Sequence, residues 1–359
     1  MWPDRRLLDL FGIAYPIVQA PMAGAMDAAL AVAVARAGGL GSLPAGMLDV
    51  EQLRAQTRQF RKDASRKPLN LNFFAYRPPI RSNAREHAWR EKLNPYYKEL
   101  GIDPNVPVPT SNRAPFDETI CGVVEELKPE VVSFHYGLPE TPLIKRVKAA
   151  GCTIISSATT VAEARFLEKL GCDAVIAQGI EAGGHRGMFL TTDLATQIGT
   201  FALVPQIVDA INVPVIASGA IGDARGIVAA LALGAGAVQI GTAYLFCAEA
   251  KITLPHRAAL KGAAGTGTVL TNVLTGRTAR GFVNRIIREL GPISDGVPDF
   301  PLASSALAPL HAKAQSLGSG DFSPMWAGDA AALGREMSAF ELTQTLARET
   351  QDLLRKLAH

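Results

Sequence analysis

The stretch Ala174-Val175-Ile176-Ala177-Gln178-Gly179-Ile180-Glu181-Ala182-Gly183-Gly184-His185-Arg186-Gly187 joins two kinds of sequence. It opens as unbroken apolar chain, the pattern of a strand buried on both faces. It continues as glycines around one histidine. Glycines just after a buried strand allow a sharp turn and close approach to a ligand. Histidine is the side chain that changes charge near neutral pH. The stretch therefore reads as an active-site loop at the end of a central strand.

The same unit recurs outward in both directions. Strands read at residues 16–23, 40–45, 69–75, 131–137, 153–158, 174–179, 214–219 and 237–242. Helices read at 27–37, 50–62, 116–127, 161–170 and 223–233. Eight buried strands alternating with helices predict an α/β fold, a closed (β/α)8 TIM barrel, with a doubly wound sheet as the alternative. No G-x-G-x-x-G follows the first strand, which argues against a dinucleotide-binding fold. Residues 76–115, with a polar helix at 84–100 and then many prolines, read as a helical insertion after strand three. The barrel is expected over 1–248, with 249–359 a C-terminal helical extension packed on it. The uncharged run 226–248 is long enough for a membrane span, but Gly234-Ala235-Gly236 splits it into a helix and a buried strand.

Composition narrows the function. The chain has 359 residues, 48% of them apolar, and a formal charge of +3 with scattered basic residues, which argues against nucleic acid. The basic run 58–67 reads as a solvated helix end. Cys121, Cys152, Cys172 and Cys247 form no C-x-x-C pair and read as buried thiols in a reducing compartment. No apolar run follows the N-terminus, so no signal peptide is expected and the location reads as cytoplasmic. No ligand spacing suggests a metal, and no G-x-S-x-G elbow suggests a serine hydrolase.

In a barrel of this kind the chemistry sits at the C-terminal strand ends. Gln19, Met22, Asn72, Ser133, His135, Ser157, Thr159, Gln178, Ser218, Gly219, Gln239, Gly241 and Thr242 fall there. Loops seven and eight, Ser218-Gly219-Ala220-Ile221-Gly222 and Gln239-Ile240-Gly241-Thr242, suit a phosphate held on backbone N–H groups and a helix N-terminus. FMN or a sugar phosphate would satisfy that pattern equally. His185 is the first catalytic candidate. His135 is the second, with a core histidine bonded to backbone as its alternative. Glu181 reads as a structural partner of loop amides, and Arg186 as pointing to solvent. His87, His256, His311 and His359 read as surface residues.

Gln19-Ala20-Pro21-Met22-Ala23-Gly24, Ser133-Phe134-His135-Tyr136-Gly137-Leu138-Pro139, the glycine–histidine stretch and Gln239-Ile240-Gly241-Thr242 together resemble the nitronate monooxygenase family, formerly 2-nitropropane dioxygenases. The likeness to class I members runs along nearly the whole chain. It includes Thr275-Gly276-Arg277-Thr278-Ala279-Arg280-Gly281 and Met325-Trp326-Ala327-Gly328. The resemblance implies an FMN-binding TIM barrel that oxidises alkyl nitronates with O2 to a carbonyl compound and nitrite. Propionate 3-nitronate and nitroalkanes are the family-level substrates. By motif, the FMN contacts would be Met22, Asn72, Gln178, Gly183, Gly219, Gln239, Ile240, Gly241 and Thr242, and His185 matches the catalytic histidine. His185 would hold the anion if protonated, or remove the α-proton of a nitroalkane if neutral. Two departures stand out: Met26-Asp27-Ala28 where a Thr-Pro pair is common, and Gly219-Ala220 where Gly-Gly is usual. An FMN-dependent enoyl-ACP reductase using NAD(P)H and a non-catalytic phosphate-ligand barrel are the alternatives. No membrane partner is expected, and a homodimer is left open.

Overall fold

A computed structural model describes every residue except Met1, Thr110, Asn112 and His359. His359, read from sequence as a surface residue, lies outside the described residues, as do two positions of the expected insertion.

The glycine–histidine stretch follows β6 (Ala174–Gln178), a strand in the middle of a parallel sheet. In chain order the sheet contains β1 (Ile17–Gln19), β2 (Gly41–Leu43), β3 (Leu69–Phe74), β4 (Val131–His135), β5 (Thr153–Ala158) and β6. After β7 (Gly184–His185), which lies outside this sheet, β8 (Val215–Ser218) and β9 (Ala237–Ile240) complete it. The eight strands run β1-β9-β8-β6-β5-β4-β3-β2. A parallel bridge between Val18 and Leu40 joins the two ends. A doubly wound sheet would keep its edges open, so the barrel reading is correct. All eight strands predicted from sequence are present, each within a few residues of its expected bounds.

The helices form where the sequence gives them ends. Asp27 accepts from the Ala29 N–H and opens Ala28–Ala37, which Gly38 closes at φ +111°. The unusual Met26-Asp27-Ala28 thus makes a helix cap. Helix Ala224–Ala232 and β9 account for the uncharged run 226–248. No helix among the described residues is long and apolar enough to cross a membrane.

The last helix, Ala339–Leu357, opens with a capping box from Ser338 and Glu341. It packs between Ala28–Ala37 and Ala224–Ala232, and its Leu342, Leu346 and Ala347 join the main core. It therefore fills the outer-ring position between the helices that follow β1 and β8. A second core sits apart from the first. Trp89, Leu93, Tyr96 and Tyr97 of helix Asn83–Glu99 pack there with Val273, Ile286, Leu307 and Leu310. We propose that this cap is one structural unit drawn from both the insertion and the chain after the barrel. A small antiparallel sheet, β10 (Thr268–Thr271), β11 (Ala279–Phe282) and β7, reaches from it to the glycine–histidine loop.

Candidate active site

A cavity of about 620 Å³ opens over the C-terminal strand ends, large enough for a cofactor with substrate. His185 and His135 both line it. So do Met22, Asn72, Gln178, Gly183, Gly219, Gln239, Gly241 and Thr242. Ile240 does not. Its side chain is fully buried in the barrel core, because alternate residues of a strand face opposite ways. Its backbone carbonyl accepts from the Ala20 N–H at 2.8 Å.

Three features hold the glycine–histidine loop. First, β7 pairs with β11, His185 opposite Ala279 and Gly184 opposite Arg280. Second, Gln178 spans the loop from below: its amide donates to the His185 carbonyl at 2.9 Å and accepts from the Gly187 N–H at 2.7 Å. Third, Arg186 lies inside it. The guanidinium donates to the carbonyls of Gly179 (2.6 Å) and Gln178 (2.7 Å) and to Gln197 Oε1 (2.9 Å). The expectation that Arg186 points to solvent is therefore wrong. It is 1% exposed, and burial pushes its pKa down to about 10. The turn leaves carbonyls without ladder partners, and a five-donor cation satisfies several at once.

Gly183 is required for packing. A Cβ there would stand 2.5 Å from the Gly328 nitrogen and 2.6 Å from the Ala327 carbonyl carbon. Glu181 has the structural role read from sequence: its carboxylate accepts from the Thr200 N–H at 2.9 Å and the Thr200 hydroxyl at 2.8 Å. Those contacts close the N-terminus of helix Thr200–Val208.

The two histidines differ in their free atoms. His135 Nε2 lies 3.1 Å from the His185 carbonyl, which can only accept. Nε2 therefore carries the proton, and Nδ1 accepts from the Ser157 hydroxyl at 3.2 Å. Burial, with Arg277 adding to it, holds His135 at about 3. Neither nitrogen remains for a substrate. His185 Nε2 lies 2.8 Å from Thr275 Oγ1, and that hydroxyl donates to the Arg277 carbonyl at 3.2 Å. With its one proton committed, Thr275 accepts from His185 Nε2–H. His185 Nδ1 then bears a lone pair and makes no hydrogen bond among the described residues. Burial, then Arg113, His135 and Arg277, hold His185 well below the ordinary histidine range. The rings of Phe300 and Trp326 flank it, each 5.4 Å centre to centre.

His256 and His311 are also corrections. His256 is buried, donates to the Trp326 carbonyl at 3.0 Å, and is pushed down to about 4 by burial. His311 is half-buried on the cavity wall. Their helices looked polar in sequence, but His256 meets the Trp326 backbone and the helix of His311 is part of the cap's core. His87 is exposed, as read.

Loops seven and eight carry the phosphate expectation. The N–H groups of Ala220, Ile221 and Gly222 make no hydrogen bond among the described residues, and all three line the cavity. Gly219 has φ +115° and Ala220 φ +55°, so the alanine keeps the left-handed turn that glycine would take. The helix N-terminus beyond is already occupied, since Asp223 accepts from the N–H groups of Arg225 and Gly226. Gln239 Oε1 is buried without a hydrogen-bond partner among the described residues.

The family profile described as nitronate monooxygenase matches residues 4–349. Nitronate monooxygenase of Pseudomonas aeruginosa is 42% identical over 96% of this chain and 98% of its own. That of Paraburkholderia phytofirmans is 42% identical over 98% and 97%. Among solved structures, nitroalkane oxidase from Streptomyces ansochromogenes superimposes with TM-score 0.89 at 35% identity, covering 98% of this chain and 99% of that one. FabK from Thermotoga maritima gives 0.75 at 28% identity over 98% of each chain. With a profile match over nearly its full length and curated relatives at this identity, the chain belongs to the nitronate monooxygenase family.

Proposed function

We propose that this chain is an FMN-dependent monooxygenase that oxidises alkyl nitronates with O2, and nitroalkanes after removing their α-proton. One observation carries the reading: a neutral His185 with a free Nδ1 on the wall of a cavity otherwise prepared for a phosphate-bearing cofactor.

The residues fit FMN. The free N–H groups of Ala220, Ile221 and Gly222 suit its phosphate. Gln239 Oε1, buried and unpartnered, needs a donor that no described residue supplies. Met22, Asn72 and Gly241 line the same cavity. When bound, the flavin would supply the electron transfer from nitronate to O2 that ends in carbonyl compound and nitrite.

The protein's part is to hold and to move a proton. Thr275 fixes the His185 tautomer with Nε2 protonated and Nδ1 basic. The α-carbon proton of a neutral nitroalkane passes to Nδ1, and Arg113 and Arg277 favour the nitronate anion left behind. A substrate supplied as nitronate needs no such transfer. His135 and Gln178, through the His185 carbonyl, are positioning residues.

The test is the visible spectrum of purified protein together with O2 uptake on ethyl nitronate. The proposal expects yellow protein that releases FMN on denaturation, consumes O2 and forms nitrite. Colourless protein that binds no added FMN would support a non-catalytic phosphate-ligand barrel instead. The likeness to FabK keeps a reductase as the second reading. Rapid anaerobic bleaching by NADH or NADPH would favour it.

A further inference from the structure

One cation in the cavity has no acidic partner among the described residues. Arg113 lies where the insertion returns to the barrel, with its guanidinium in the cavity wall. It meets Ser304 on helix Leu302–Ser316, and Ser305 and, about two turns beyond Ser304, His311 of the same helix also line the cavity. Its one side-chain hydrogen bond among the described residues runs from Nη1 to Ser304 Oγ at 3.4 Å, a long contact. Among the described residues no carboxylate lies within ion-pair distance of it. The other lining cation, Lys251, has Asp27 at 3.5 Å, and the one acidic lining residue, Glu181, is committed to Thr200.

The segment is also held. The Tyr76 hydroxyl donates to the Arg113 carbonyl, and Ser304 donates to the Pro301 carbonyl at 2.7 Å, leaving its oxygen facing Nη1. Burial lowers the Arg113 pKa from the usual arginine value, and its charge opposes protonation of His185. A half-buried guanidinium without an acid stands poised for an anion, since its donors match two oxygens on one planar group. A nitronate presents such a group.

We propose that Arg113 is a substrate-binding residue that clamps the two oxygens of the nitronate group, making this cavity selective for planar oxyanions. This rests on the reading of the site as a nitronate site. It goes beyond that reading, in which Arg113 only favours the anion by its charge, by giving Arg113 direct hydrogen bonds to both nitronate oxygens.

Nitrate, a planar oxyanion that cannot be oxidised here, is the probe. Its binding to the holoenzyme is measured by calorimetry and as competitive inhibition of ethyl nitronate turnover, in wild type, Arg113→Met and Arg113→Lys. A charge-assisted hydrogen bond contributes about 1.5–3 kcal/mol, so Arg113→Met should weaken nitrate roughly 10–150-fold. Arg113→Lys should recover part of that, having charge without the fork. KM for ethyl nitronate should rise with the nitrate constant, and by more than KM for neutral nitroethane. Unchanged nitrate binding in Arg113→Met, or none in wild type, overturns the proposal. If nitrate binding depends on Arg113 but no nitronate is oxidised, the clamp stands and the monooxygenase reading fails. Circular dichroism establishes that the variants are folded, and Arg113→Lys decides the matter if the methionine variant is not.

Discussion

Thr275→Val tests whether the His185 tautomer matters. Valine keeps the volume of threonine and removes the hydroxyl that accepts from Nε2–H at 2.8 Å. His185 then either keeps Nε2–H buried without an acceptor or moves the proton to Nδ1. An unpaired buried donor costs about 1–3 kcal/mol, and moving the proton removes the basic lone pair. Either way, proton abstraction should lose roughly 5–150-fold. The assay is O2 uptake, comparing kcat/KM for nitroethane and for ethyl nitronate in wild type, Thr275→Val and Thr275→Ser. The account expects the loss in Thr275→Val on nitroethane, a smaller effect on the nitronate, and recovery in Thr275→Ser. A folded Thr275→Val enzyme with nitroethane kcat/KM within about 2-fold of wild type would refute the tautomer argument.

Three further outcomes follow from the same geometry. Because His185 is held below the ordinary histidine range, kcat/KM for nitroethane should show no histidine limb near pH 6.5, falling only at lower pH; a midpoint at 6.5 would contradict this. His135 and His256 are depressed to about 3 and about 4, so their neutral forms stabilise the fold above the unfolded pKa near 6.5, and that contribution is lost as pH falls toward those values. Thermal melts should show Tm falling between pH 6.5 and 4.5, where an unchanged Tm would count against the burial argument. Ala220 sits at φ +55°, a conformation that costs an L-residue roughly 1–2 kcal/mol, so Ala220→Gly should leave stability unchanged or raise it by up to about 1 kcal/mol in chemical denaturation; a clear loss would mean the methyl group packs favourably.

Much of the fold was legible because strands buried on both faces are uninterrupted apolar runs. β5 was read to the residue, and β6 to within one. The glycine–histidine loop was legible for the same reason: its unusual residues stand directly after such a run. What escaped was whatever depends on long-range packing. β7 is two residues long and pairs with a strand almost a hundred residues later, so nothing local announces it. Thr275 and Trp326 stood in recognisable stretches, but their place beside His185 comes from the cap folding over the barrel. Arg186 looked like an ordinary surface cation, since sequence does not show that a turn will leave carbonyls for it to satisfy. His135 offered two readings, a catalytic residue or a histidine bonded to backbone; its Nε2 lies 3.1 Å from the His185 carbonyl, a contact sequence does not show. The final helix did carry a local signal, Ser338 followed by Glu341, which marks a capped helix start though not where that helix packs.

The central claim is that His185 is a base acting on the α-proton. His185→Asn, with its flavin content measured, compared on nitroethane and ethyl nitronate, tests it most directly. A positioned general base contributes about 10²–10⁴-fold, so the account predicts a loss of that size on nitroethane, bound FMN retained, and nitronate turnover reduced far less. Equal losses on the two substrates would contradict it.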